Sequence, residues 1–366
     1  PDDITEFGAF AFTRMTLSQI NLPSSLRKMG HFCFDGNRWL EGDPLVIPEG
    51  VTEIPTRCFA RCNSIKRIIL PSTLKTINML AFYYVRVEEM NFPEGLDSIG
   101  LSAIYATHLR EIVLPNTVKR VGDSSFSNNL KLKRIVLPEG LTEIPECFLS
   151  LCDMLEEANI PTTVTKIGRS AFQCCSELKV NQLPPKLRWV GYDAFDSCLI
   201  DSIVFPSTVE YIEGGAFRDL HHLQKIYSLS PNPPHCTEDH ANPGMGPFHG
   251  FTPNDIPVYV PIGSGEKYRQ AFGWNYFTNI IETDKFPLGV EPPLVEGLGK
   301  YMVYGRDGSL VIELPEEPSS PVLYSIYTVE GKTIAQGYLT GSHVLQLPSR
   351  GVYIVRVGTS IHKVSL

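Results

Sequence analysis

No apolar run in the 366 residues approaches the roughly 20 that a membrane-spanning helix requires, so no direct membrane span is expected. Positive charge is in deficit: 32 Lys and Arg face 40 Asp and Glu, a formal net charge of −8. Nucleic acid needs a basic footprint to displace the counterions of its phosphates, and an anionic membrane gains nothing from an acidic surface, so neither partner is expected. The recognised catalytic signatures are missing as well. There is no nucleophile elbow, HExxH, phosphate loop or dinucleotide fingerprint. Scattered Ser, His and Asp residues carry no weight without shared geometry, so no catalytic residue, cofactor or metal ligand is assigned and no enzyme is expected. The sequence opens at Pro1, without Met and part-way through a repeat. A chain trimmed at its N-terminus is expected, and the missing targeting segment then says nothing of the native protein.

What is present is periodicity. An apolar residue followed by Pro recurs at Pro23, Pro48, Pro71, Pro93, Pro115, Pro138, Pro161, Pro184 and Pro206, with spacings between 22 and 25 residues. Each anchor ends an apolar-x-apolar segment, such as Ile68-Ile69-Leu70, Ile112-Val113-Leu114 or Ile203-Val204-Phe205. A short strand with alternate residues inward satisfies that pattern, and Pro, lacking a ladder donor, closes it. A turn follows, then a second extended piece, then a turn or short helix carrying Phe inward. The Phe row is Phe12, Phe34, Phe59, Phe82, Phe126, Phe148, Phe172, Phe195 and Phe217, with Ile104 standing in once. A unit of about 23 residues cannot bury its own apolar face, so neighbours must stack into a solenoid. In the turns, Pro-Glu-Gly alternates with Pro-Ser/Asn/Thr-Ser/Thr from Pro23 to Pro161, as a duplicated two-repeat unit would.

With these residues in view, the chain resembles the bacterial BspA-type leucine-rich-repeat family, whose pattern L-x-x-I-x-L-P…I-G-x-x-A-F-x-x-C is matched by residues 109–115, 167–175 and 190–198. The run from Val258-Tyr259-Val260-Pro261 through Tyr268, Trp274, Phe277 and Ile280 is similar to the closing element of such arrays. The resemblance implies a right-handed, curved leucine-rich-repeat solenoid. It also implies an extracellular, outer-membrane-associated or secreted location and adhesion or host-protein binding. The expected domains are the solenoid over 1–284, with its closing element at about 228–284, a linker over 285–297 and a small all-β sandwich over 298–366. Strand-like runs at 309–314, 322–328, 333–339, 344–347, 352–357 and 361–366 support the sandwich. Its ending, residues 351–357 followed by Lys363-Val364, resembles the sorting domains of Bacteroidetes secreted proteins.

Seven of the nine cysteines follow the repeat register, and Cys174 and Cys236 fall outside it. Cys62, Cys175 and Cys198 sit three residues after the repeat Phe, Cys152 four after Phe148, and Cys33, Cys58 and Cys147 just before it. Buried free thiols are expected rather than disulfides or a metal set. Between Pro233 and Gly250, His235, Cys236, Glu238, Asp239, His240 and His249 are chemically able to ligate a metal. Their spacing matches no zinc template, and the Pro and Gly content reads as a surface loop between array and closing element.

Charges just before the strands mostly alternate in sign from rung to rung: Lys66-Arg67, Glu88-Glu89, Arg110-Glu111, Lys133-Arg134, Glu156-Glu157. Strands ~4.8 Å apart bring such charges face to face, as a salt-bridge ladder or as a polar recognition strip. Beside them, two residues before each Pro, runs the outward row Asn21, Val46, Ile69, Asn91, Val113, Val136, Asn159, Gln182 and Val204. That row is either a solvated strand face or a ligand-facing one. The expected function is a non-catalytic module that recognises a host or matrix protein, or a surface glycan, through this row. One alternative is a structural stalk with no specific partner. Another is a metal-dependent or glycan-active enzyme centred on the His-rich segment, which would require a pocket there.

Overall fold

A computed structural model of the chain describes residues 3–40, 44–180, 182–287, 302–306, 309–313, 322–328, 333–339, 342–347, 351–357 and 360–365. The chain divides into two compact units, Pro1–Pro292 and Pro293–Leu366. The first unit is a parallel β-solenoid, a stack of about 12 turns.

Each rung of the solenoid has three sides. The apolar-x-apolar segments form a first column of parallel strands that includes Leu45–Val46, Arg67–Ile69, Glu89–Met90, Glu111–Val113 and Arg134–Val136. The column resumes at Ser202–Phe205, Lys225–Ser228, Pro257–Pro261 and Asn279–Thr283. The extended piece after the turn forms a second column of two-residue parallel strands. There Ile54, Ile77, Ile99 and Val121 lie in register, as do Ile144, Ile167, Val190, Ile212 and Cys236. Like sits over like because the repeat length returns each apolar position to the same face.

The turns before the second column explain the alternating motifs. Thr73 Oγ accepts from Gly50 N–H at 2.9 Å and donates to Val51 C=O at 2.8 Å. Thr117 accepts from Gly95 N–H in the same way, and Thr163 donates to Glu139 and Leu141 carbonyls. One rung's threonine thus satisfies the backbone of the preceding rung's Pro-Glu-Gly turn, where Gly50 and Gly95 take φ values of 93° and 98°. The Glu49 carboxylate accepts from the N–H and hydroxyl of Ser72, which holds its carboxyl below the usual range.

The third side is a column of turns, and the array has no helix there among the described residues. Two positions four residues apart take positive φ on successive rungs: Arg57 and Arg61, Leu80 and Tyr84, Ser102 and Ala106, Ser124 and Asn128. Left-handed backbone costs a non-Gly residue about 1 kcal/mol or more. Ladder bonds between rungs compensate: Phe59 N–H donates to Ala81 C=O at 3.0 Å, Arg61 N–H to Tyr83 C=O at 2.7 Å, and Phe82 N–H to Ala103 C=O at 2.8 Å.

Between the two positive-φ positions, the Phe side chain enters the core. Phe12, Phe34, Phe59 and Phe82 stack with ring centroids 5.1–5.8 Å apart, and Phe172, Phe195, Phe217 and Phe248 stack at 5.2–5.5 Å. Phe148 departs from its expected place. Cys147 takes the positive φ that Arg57 takes four rungs earlier, so Phe148 occupies the small-residue position and Leu149 the Phe position. Phe148 meets Phe126 edge-on, at 90°, for that reason. Cys152 then lies three residues after the inward side chain, like the other cysteines of its kind.

That cysteine position has a task. The S–H of Cys62, Cys152, Cys175 and Cys198 donates to the carbonyl of Phe34, Phe126, Leu149 and Phe172, at 3.2–3.3 Å. Each acceptor is the inward-position carbonyl of the preceding rung. Asn37 and Asn129 hold the same position and donate their amides to Phe12 and Ile104 carbonyls. A buried carbonyl lone pair is being satisfied, by thiol or amide alike.

Residues 233–250 are not a surface loop. His235–Cys236 joins the second column beside Tyr211–Ile212, and Phe248 extends the ring stack. The turn column continues through Gly215, Phe217 and Asp219, whose N–H groups donate to Gly246, Pro247 and His249 carbonyls. The segment is a further rung with an insertion. A helix, Gly265–Gln270, and a 3-10 turn, Trp274–Tyr276, follow, burying Tyr268 and Trp274.

The second unit has two antiparallel sheets. One pairs Met302–Arg306, Ser309–Glu313 and His343–Gln346. The other orders Thr333–Leu339, Val322–Thr328, Val352–Val357 and Ser360–Ser365. Leu310 and Ile312 of the first share a core with Tyr324, Ile326, Val355 and Val357 of the second, as in a small sandwich. Met302–Arg306 was not expected. Of the expected linker, residues 288–297 lie outside the described residues, as do residues 298–301 of the expected sandwich.

Candidate ligand-binding surface

The outward row of the first column is continuous in register but not in exposure. Val46, Ile69 and Val113 are 44–50% exposed, and Asn21 and Asn91 are exposed too. Val136, Asn159 and Gln182 are half-buried, and Val204 is 9% exposed. Val46 neighbours Ile69, and Val113 neighbours Val136. Two asparagines turn inward along the ladder. The Asn91 amide accepts from Leu70 N–H at 2.8 Å and donates to Leu70 C=O at 3.0 Å, and Asn159 does the same to Leu137 at 2.6 and 3.0 Å. Glu89–Met90 and Glu157–Ala158 are each one residue shorter than their neighbours, and the amide replaces the missing backbone pair.

Lys285, Phe286 and Pro287 lie against the C-terminal end of the row, lining a cleft with Val204 and Gln182. Sequence reasoning ended the row at Val204 because the Pro anchor lapses there. Counting one period of 23 onward reaches Tyr227, which pairs with Val204.

Much of the charge strip is paired. Lys66 lies 3.0 Å from Glu88 and Lys133 2.8 Å from Glu156, while Arg134 reaches both Glu111 and Glu157. Lys66 holds the Glu88 carboxyl below its ordinary range. Exposed pairs of this kind fix register more than they stabilise.

The sulfur groups are unsuited to chemistry. All nine cysteines are free, and burial pushes Cys33 up to about 11 and Cys62 and Cys152 up to about 12. Reactive cysteines need the reverse.

The residues singled out between Pro233 and Gly250 divide. His235 is exposed on the second column, against Tyr211, whereas Asp239 and His249 are buried in an ionic cluster. At its centre the Arg218 guanidinium lies 2.6 Å from Asp196, 3.3 Å from Asp193 and 3.4 Å from Asp239. Asp239 also accepts from the Tyr192 hydroxyl at 2.6 Å and the Asn242 amide at 2.8 Å, and lies 2.7 Å from His249 Nε2. Among the described residues no group of three or more His, Cys, Asp and Glu is arranged to hold a metal ion. The cluster ties the insertion to the rungs beneath it.

The cluster has a pH signature. Burial, with the Asp196 and Asp239 charges adding and Arg218 opposing, pushes Asp193 up to about 6 from an ordinary 3.8. The folded chain therefore binds a proton that the unfolded chain releases. This contribution is fully present below about pH 4 and is lost as pH rises through 6. Asp239 runs the other way. Burial pushes its carboxyl up, but hydrogen bonds from Tyr192, Asn242, Ala241 N–H and His249 outweigh that and hold it low, so its contribution fails only in stronger acid. Asp193→Asn is expected to raise Tm at pH 7.5 and to flatten the rise in Tm between pH 7.5 and 5. An unchanged slope in that variant would remove Asp193 as its source.

The three-sided stack of strands and turns, with Phe ladders inside and a strand column outside, defines a leucine-rich-repeat scaffold. The chain belongs to the BspA type leucine rich repeat family, whose model matches six copies over residues 1–107 and 97–224. That class of solenoid is generally non-enzymatic. Among solved structures, it is similar to a leucine-rich repeat protein from Bacteroides ovatus, with 20% identity, 78% of this chain and 77% of that chain covered, and a TM-score of 0.49. A leucine rich repeat protein of T. pallidum is 28% identical over 48% of this chain and 72% of its own, with a TM-score of 0.37. A leucine rich cell surface protein from Faecalibacterium prausnitzii is 17% identical over 77% and 84%, with a TM-score of 0.39. No curated protein matches the chain.

Proposed function

We propose that the chain is a non-catalytic binding module displayed at a bacterial surface, and that it recognises a host or matrix protein through the outward row of its first strand column. The observation that carries this reading is the exposure of Val46, Ile69 and Val113 on a regular strand face. Lys66 with Glu88, and Arg134 with Glu111, are already paired beside it. Apolar side chains rimmed by satisfied polar groups are what a protein interface offers. The family resemblance supports the surface placement and an adhesin-like role. The buried Arg218 cluster, closed by its own ion pairs, supports a structural use of the titratable groups rather than catalysis.

The test is surface plasmon resonance of the intact chain against immobilised fibronectin, laminin, fibrinogen and collagen, alongside Ile69→Glu/Val113→Glu. These side chains point to solvent, so the variant should keep its circular dichroism and Tm. Binding to one of the matrix proteins that falls at least tenfold in the variant is expected. Equal binding by the variant would take the row out of the interface. Silence across the panel would favour the stalk.

A further inference from the structure

We propose that the cleft at the C-terminal end of the strand row, between Tyr227 and Phe286, binds the carboxylate-bearing sugar of an acidic glycan. The inference rests on the reading of the first column as the ligand-facing side, but not on its apolar half.

The cleft is shallow and open to solvent, with a volume of about 450 Å³. The charged side chains that line it are of one sign. Lys225 and Lys285 both line it, and neither has an ion-pair partner among the described residues. On the same column Lys66 is matched by Glu88 and Lys133 by Glu156. In a chain of net charge −8, two unmatched ammonium groups on one cleft make a local anion site.

Two further features select among anions. The side-chain oxygen of Gln182 is buried and has no hydrogen-bond partner among the described residues. A buried polar atom left unsatisfied costs free energy that a ligand group recovers. A sugar hydroxyl both donates and accepts, so it suits that amide whichever way the amide is turned. The aromatic rings supply the other feature. Tyr227 stacks on Tyr259 at 4.8 Å, which covers one face. The opposite face looks over the smaller Val204, its partner on the preceding strand, and Phe286 meets the ring edge-on at 69°. A pyranose ring presents C–H groups to such a face while its hydroxyls and carboxylate reach Gln182 and the lysines.

An acidic peptide is the less suitable occupant. The strand Ser202–Phe205 is paired to Lys225–Ser228 on one side and bridged to Gln182 on the other, so the cleft has no free edge to which an extended peptide could add.

The experiment is isothermal titration of the intact chain with 3′-sialyllactose and a hyaluronan hexasaccharide. Lactose, chitohexaose and an oligoglutamate peptide serve as comparisons. At least one acidic sugar should bind at least tenfold more tightly than all three comparisons, and more weakly as salt is raised. Lys225→Gln/Lys285→Gln, which alters only exposed side chains, should lose at least tenfold. Ile69→Glu/Val113→Glu should keep the sugar, so a failure of the protein-binding row and a failure of the cleft are read separately. Neutral sugar or oligoglutamate binding as tightly as acidic sugar, unchanged binding in the lysine variant, or no heat from either acidic sugar at millimolar concentration would overturn the proposal.

Discussion

Replacing Arg218 by Met is expected to destabilise the C-terminal rungs of the solenoid by about 3–5 kcal/mol, the usual cost of removing one partner from a buried ionic group. The three buried carboxylates around the guanidinium come from two places: Asp193 and Asp196 from one turn, Asp239 from the insertion of a later rung. Their side chains are 9%, 5% and 0% exposed. Met fills much of the space but carries no charge, so three carboxylates would be left to repel one another away from water. Urea denaturation followed by the fluorescence of buried Trp274, which lies beyond this rung, measures the loss. Adding Asp193→Asn and Asp196→Asn should restore a large part of it, because the uncompensated charges, not the missing contacts, dominate the cost. A loss under about 1 kcal/mol would mean that the carboxylates rehydrate locally.

Phe195→Ala should cost a similar ~3–5 kcal/mol, for a different reason. The ring is fully buried and stacked between Phe172, at 5.2 Å, and Phe217, at 5.4 Å. Neither neighbour can collapse into the space, because each is held in its own turn by the ladder bonds to the rungs above and below. Solenoid stability is a sum of nearest-neighbour terms, so the damage should concentrate on the rungs next to the gap. Hydrogen exchange is expected to show lost protection around residues 172–217, with the Phe34–Phe82 region nearly unchanged. Phe10→Ala is the control. Phe10 stacks on Phe32 but is 59% exposed, so its removal should change stability little. Uniform loss of protection along the whole solenoid would contradict the nearest-neighbour account.

The cysteines show how far a pattern carries. The register predicts burial for seven of them; six of those are buried, and Cys147 is half-buried. It does not disclose that four of them donate to the carbonyl of the preceding rung, since that acceptor lies 26 or 28 residues away in sequence. Asn37 and Asn129, at the equivalent position, make the same kind of bond, which explains the position once the hydrogen bonds are known. The candidate surface was legible to a similar degree. Alternation placed Val46, Ile69 and Val113 outward, as observed. It could not distinguish them from Asn91 and Asn159, whose amides are consumed by neighbouring backbone, or from Val204, which Lys285, Phe286 and Pro287 border from more than 80 positions downstream.

The sequence by itself determined the period, the stacking of like on like and the identity of the core columns. Those follow from the spacing of apolar residues alone: a 23-residue unit with inward positions at constant offsets has no other way to bury them. Only the tertiary structure decided the third side of each rung. Arg57, Leu80 and Tyr84 have no local preference for positive φ, and no propensity rule would place them there. Hydrogen bonds between rungs impose that conformation, and they exist only once the rungs have stacked. The same cause moved Phe148 into the small-residue position and turned residues 233–250 from a supposed loop into a rung of the solenoid. In each case a partner one period or more away outweighs what the local residues prefer.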